Sequence, residues 1–127
     1  MKNVSYLFWG KVKKGKGRGK DLGFPTANIA LHKEISEGVY VSQTKVKGTW
    51  HPSLTFIGAA KTFGEKEVQA ETYLLSFNTS IYGNTISIKL LKKLRGNKKF
   101  STGSELVKQM KEDEKEARKY FSQREGV

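Results

Sequence analysis

The chain has 127 residues, with 24 Lys and Arg against 12 Asp and Glu, and no cysteine. That length suits a single folding unit over 1–127, and the missing cysteine excludes disulfides, thiolate metal sites and a cysteine nucleophile. No apolar run approaches the ~20 residues of a membrane-spanning helix, and MKNVSYLFWGKVKK lacks a signal peptide's apolar length and cleavage site, so a cytoplasmic location is expected.

A formal charge of +12 points to an anionic partner without naming it. The charge is unevenly placed. Residues 1–20 hold seven Lys and Arg and no acid, and residues 84–99 hold six and no acid. Two such stretches can converge on one anionic site, or simply give a basic, well-solvated surface.

In chain order, Val4, Tyr6, Phe8 and Val12 share a parity, the pattern of a half-buried strand. Gly15 to Gly23 holds four glycines within nine residues and reads as a loop. Pro25 biases Phe24 to extended geometry and fixes its own φ, ahead of Thr26-Ala27-Asn28-Ile29. Gly38 opens a strand running to Val46, and Lys47-Gly48 reads as a turn. Leu54 to Gly58 is a short strand, and Val68 to Phe77 is expected to be the longest. Asn78 to Asn84 is a connection, and Thr85 to Leu94 alternates again.

A helix follows over about 102–122. Thr102 and Glu105 fit a capping box, and Leu106, Met110, Ala117 and Phe121 form one helical stripe flanked by Val107 and Tyr120. Glu114 and Arg118 stand at a favourable i, i+4 spacing. The composite is mainly β: an antiparallel barrel closed by a C-terminal α-helix.

Several motifs fail. A Walker A loop would need a glycine at Lys14 and a hydroxyl residue at Asp21. A dinucleotide fingerprint would need a glycine at Lys20. His32 and His51 have no clustered acids, so neither suggests a transition-metal site, and no Ser-His-Asp arrangement stands out.

Three features carry chemistry. In the basic glycine-rich loop, glycines let backbone N–H groups approach phosphate oxygens, while Lys16, Arg18 and Lys20 add charge; a flexible basic hairpin would have the same composition. Thr26 and Asn28 project to one side of an extended segment and offer neutral oxygen ligands of the kind Mg²⁺ accepts beside phosphates and water, although both also suit turn chemistry. Glu71 lies in an apolar strand. There desolvation favours a general base, or an ion pair with a lysine holds it, or it faces solvent.

Taken together, Gly10 to Ile29, with Gly23-Phe24-Pro25-Thr26-Ala27-Asn28 at its centre, resembles the opening signature of the riboflavin kinase (flavokinase) family. Glu37-Gly38-Val39-Tyr40, Ile57-Gly58 with Thr62-Phe63, Tyr82-Gly83, and Leu94-Arg95 with Lys99-Phe100-Ser101 continue the resemblance in order, through about residue 121. It implies a six-stranded Greek-key β-barrel with a C-terminal helix. It also implies transfer of the ATP γ-phosphoryl group to the 5′-hydroxyl of riboflavin, giving FMN and ADP. The resemblance assigns the nucleotide to Gly15, Lys16, Gly17, Arg18, Gly19, Lys20, Gly23, Pro25 and Thr26. It assigns Mg²⁺ or another divalent cation to Thr26 and Asn28, the catalytic base to Glu71, and flavin contacts to Arg95 and Phe100.

Four positions depart from the family pattern: Phe56 for a common asparagine, Lys61 for proline, Tyr73 for a frequent histidine and Ser76 for a frequent aspartate. The fused FMN adenylyltransferase domain of many bacterial relatives has no counterpart in this sequence, so FAD synthesis is not expected. The expected partners are riboflavin/FMN and ATP/ADP, with no nucleic acid, no membrane and a monomeric state. The alternatives are a basic β-barrel binding single-stranded nucleic acid, or a flavin binder without turnover. The first needs an aromatic platform, and Phe8, Trp9, Phe24, Tyr40, Phe56 and Tyr73 scatter across strands, most of them expected in the core.

Overall fold

The computed structural model describes residues 3–13, 26–31, 34–62, 65–75 and 84–125. Within them the chain forms β1 (Asn3–Lys11), β2 (Ala27–Ala30), β3 (Gly38–Val46), β4 (Thr49–Thr62), β5 (Glu65–Leu74), β6 (Thr85–Arg95) and a helix, α1 (Gly103–Glu125). The six strands make one antiparallel sheet in the order β1-β6-β3-β4-β5-β2. Its two ends meet where Lys13 pairs with Asn28, the Lys13 amide donating to the Asn28 carbonyl at 2.7 Å. This bridge turns the sheet into a nearly closed barrel, which leaves little unpaired edge. The run β3-β4-β5 is a meander, and β6 returns beside β3, which is the Greek-key arrangement.

Strand alternation divides the apolar residues between two cores. Phe8, Val12, Ile29, Tyr40, Ile57, Ala70, Ile86 and Ile88 fill the barrel interior. On the outer face, Val39, Val41, Leu54 and Leu91 pack against Ala117 of α1, with Tyr120 and Phe121 beside them. The helical stripe read from sequence is therefore the surface that covers one part of the barrel wall. Tyr6 breaks the expected inward parity and stays exposed, beside an irregularity in the β1–β6 register.

Two strand lengths differ from expectation. β4 runs over 14 residues and is the longest, and β5 starts at Glu65 and stops at Leu74. Pairing along β3 carries β4 through Thr49-Trp50-His51-Pro52, a stretch with no alternation of its own. Lys47 (φ 49°) and Gly48 (φ 84°) give the predicted turn the left-handed geometry of a two-residue hairpin that matches strand twist.

At the start of α1 the Thr102 hydroxyl accepts from the Glu105 amide at 3.1 Å, as the capping box requires. The return arm lands one residue upstream of expectation. Glu105 Oε2 accepts from the Ser101 amide and hydroxyl at 3.1 and 2.9 Å. The Ser101 hydroxyl, then its amide, hold the Glu105 carboxyl below its ordinary value of 4.5.

Candidate active site

β2 and β5 pair so that Asn28 stands directly opposite Glu71, and β4 and β5 pair so that Phe56 stands opposite Glu71 on its other side. Opposed residues share a face, so all three lie on the outer wall of the barrel. Thr26, two residues before Asn28, reaches the same place and donates its hydroxyl to Glu71 Oε1 at 2.8 Å. The two segments are 45 residues apart, and only the β2–β5 register joins them.

The chemistry of this cluster follows from its donors. Because the Thr26 proton points at Glu71, the lone pairs of Thr26 Oγ1 point elsewhere and can ligate a cation. Asn28 is buried, and its side-chain nitrogen has no hydrogen-bond partner among the described residues. An orphaned buried amide is costly unless a ligand satisfies it. A phosphate oxygen would do so, and the same amide rotated offers its oxygen to a divalent cation. No group of three or more His, Cys, Asp or Glu suited to a metal occurs among the described residues. A cation at Thr26 and Asn28 would take their neutral oxygens, with water and phosphate completing its shell, as Mg²⁺ accepts.

Beside this cluster a cavity of about 620 Å³ lies between the outer wall and the first half of α1. Thr26 and Glu71 stand in its lining, with Leu54, Phe56 and Tyr73 from the sheet and Leu106 and Met110 from the helix. Arg95 and Phe100 line it too, with the guanidinium 6.0 Å from the ring centroid. Arg95 is fixed from behind: its Nε and Nη2 donate to Asp113 Oδ1 and Oδ2 at 2.9 and 2.8 Å. Gln109 donates to the same carboxylate at 3.1 Å. Gly38 permits this closure, because a Cβ there would sit 2.4 Å from the Arg95 carbonyl oxygen.

The structure thus brings together Thr26, Asn28, Glu71, Arg95 and Phe100. The expected nucleotide-binding residues Gly15, Lys16, Gly17, Arg18, Gly19, Lys20, Gly23 and Pro25 lie outside the described residues, as does Ser76; the side chain of Lys61 is likewise not described. Of the departures from the family pattern, Phe56 walls the cavity next to Glu71, and Tyr73 donates to Glu114 Oε1 at 3.0 Å. Burial first, and the hydrogen bond to Glu114 second, push the Tyr73 phenol up, so it remains a donor at neutral pH. Asp113 was missed in the sequence. Its signal was an acid in phase with the apolar stripe, between Met110 and Ala117.

Comparison with known proteins bears directly on this arrangement. A family profile described as flavokinase, riboflavin kinase, matches residues 2–121. The chain belongs to the riboflavin kinase family. A bifunctional riboflavin kinase/FMN adenylyltransferase of Bacillus subtilis is 37% identical over 123 residues, covering 92% of this chain and 39% of that protein. The corresponding Escherichia coli K12 protein is 35% identical over 115 residues, covering 88% and 37%. A trifunctional protein, RibF/MnmA, of Mycoplasmoides gallisepticum is 37% identical over 119 residues, covering 91% and 18%. The chain therefore spans well under half the length of these relatives. A crystal structure described as a macrolide-efflux protein from Streptococcus pneumoniae superposes with a TM-score of 0.82 at 31% identity, over 91% of this chain and 39% of that one. The six-stranded barrel and helix are thus a riboflavin kinase family fold.

Proposed function

We propose that this chain is a riboflavin kinase, which transfers the γ-phosphoryl group of ATP to the ribityl 5′-hydroxyl of riboflavin and yields FMN and ADP. The observation that carries this reading is the Thr26–Glu71 hydrogen bond of 2.8 Å, placed at the lining of a flavin-sized cavity beside the buried, unsatisfied amide of Asn28. Family membership over residues 2–121 supports the same reaction class.

Each residue then has a part. Glu71 accepts the proton of the 5′-hydroxyl as its oxygen bonds to the γ-phosphorus and the bond to the ADP oxygen breaks. Thr26 orients Glu71. Thr26 and Asn28 hold the divalent cation and a phosphate oxygen, and a bound cation there would neutralise phosphate charge as it develops. The mostly apolar cavity suits the tricyclic flavin ring, with Arg95 and Phe100 closing over it. Gly15–Gly23, which lie outside the described residues, are assigned to the nucleotide phosphates by the family resemblance alone. Positioning and charge neutralisation supply most of the acceleration in this chemistry. The protein works as a monomer in the cytoplasm.

The test is direct. Incubation with riboflavin, ATP and Mg²⁺ should give FMN, resolved from riboflavin by chromatography. Glu71→Gln should lower turnover by about 10²–10⁴-fold while flavin binding, read by fluorescence quenching, stays close to wild type. Unchanged turnover in that variant would remove Glu71 as base, and no FMN from the wild-type protein would remove the kinase reading.

A further inference from the structure

The helix covers only part of the outer wall. Past Val41 and Leu54 no described element packs over the sheet face, and the ladder sets two rows of side chains on it. One row runs Leu7, Lys89, Gln43, Pro52 and the next runs Trp9, Ser87, Lys45, Trp50, each residue paired with the next across β1, β6, β3 and β4. Trp9 is 66% exposed and Trp50 40% exposed. Lys45 sits 5.9 Å from the Trp50 ring centroid. These two are the only tryptophans in the chain. The four strands contain no Asp or Glu at any position.

This placement corrects the expectation that Trp9 belongs to a scattered, mostly buried aromatic set. Phe8 and Tyr40 are core, but Trp9 stands in line with Trp50 three strands away, roughly 14 Å at the usual strand spacing. We propose that this face is a binding site for single-stranded nucleic acid, separate from the flavin cavity. The two indoles stack on bases a few nucleotides apart, and Lys45 and Lys89 contact the intervening phosphates. Three features favour this ligand. The indoles offer flat π-surfaces on an open sheet, which bases match irrespective of sequence. Lysines stand between and beside them, with no carboxylate on these four strands to compete. A second copy of the chain fits poorly, because a two-fold contact would set lysines against lysines.

Because both tryptophans lie on this face, fluorescence excited selectively at tryptophan reports on it alone. Titration of the full chain with a short single-stranded oligothymidylate at low salt should quench that fluorescence. Trp9→Ala and Trp50→Ala should each weaken binding about tenfold or more, measured by anisotropy of labelled oligonucleotide. Lys45→Gln and Lys89→Gln should each flatten the dependence of log affinity on log salt by about 0.7. All four variants should form FMN as the wild type does, so failure here is distinguishable from failure of the kinase reading. No quenching at low salt would overturn the proposal. So would equal binding of duplex DNA, equal quenching by polyglutamate, which would mark an acidic protein surface as the true partner, or a concentration-dependent dimer that buries the tryptophans.

Discussion

Asp113 is a carboxylate on an otherwise apolar helical stripe, and it is only 6% exposed. Burial of this kind is tolerated because the Arg95 fork engages both oxygens and Gln109 adds a third donor. The guanidinium cannot shed its charge, so Asp113→Asn strands a half-buried cation against the cavity. The variant should lose about 1–3 kcal/mol in urea denaturation, less than a fully buried pair would because Arg95 keeps some exposure. Its KM for riboflavin should rise more than its kcat falls, since Arg95 lines the proposed flavin cavity and makes no hydrogen bond to Thr26 or Glu71. A proportionate fall in kcat alone would place Arg95 at the reacting atoms instead. Glu71 was legible as a candidate from its apolar strand, but its pairing with Thr26 was decided only by the β2–β5 register. Asp113 was legible as an oddity but had no partner until β6 and α1 were packed.

At the level of elements, the helix start was the most readable feature. Thr102 caps as expected, and Thr102→Ala should cost about 1 kcal/mol, seen as a lower urea midpoint. Glu105 works with Ser101 instead of closing back on Thr102. Its carboxyl is depressed in the folded state, so its contribution is present above the ordinary value of 4.5 and is lost as pH falls through the lower, folded value. The Tm difference between wild type and Glu105→Gln should therefore shrink on acidification through the carboxylate range. A difference independent of pH would show that the carboxylate charge contributes nothing. Strand lengths were read less well. Trp50-His51-Pro52 has no alternation, yet β4 extends through it because the tight Lys47-Gly48 turn fixes its register on β3.

Across the whole molecule, barrel closure and one interior polar chain bind the sheet together. Thr44, Ser53, Ser42, Thr55 and Thr72 link hydroxyl to hydroxyl across β3, β4 and β5 at 2.7–2.9 Å, all buried in the barrel. Ser42 has two hydroxyl partners, so Ser42→Ala leaves both short of a bond and should cost about 1–3 kcal/mol in denaturant unfolding. A cost near zero would mean that the ladder rearranges without loss. Composition and periodicity determined the class of this protein: β-rich, basic, free of cysteine, with a C-terminal amphipathic helix. These are local properties, set by side-chain period, glycine and proline backbone limits, and capping hydroxyls. Motif resemblance then named the candidate residues Thr26, Asn28, Glu71, Arg95 and Phe100. Only the tertiary structure decided which of them meet, that Asp113 holds Arg95, and that Trp9 and Trp50 share one open face. The reason is that cross-strand register brings residues from distant parts of the chain side by side, and no period within a single strand encodes its neighbour.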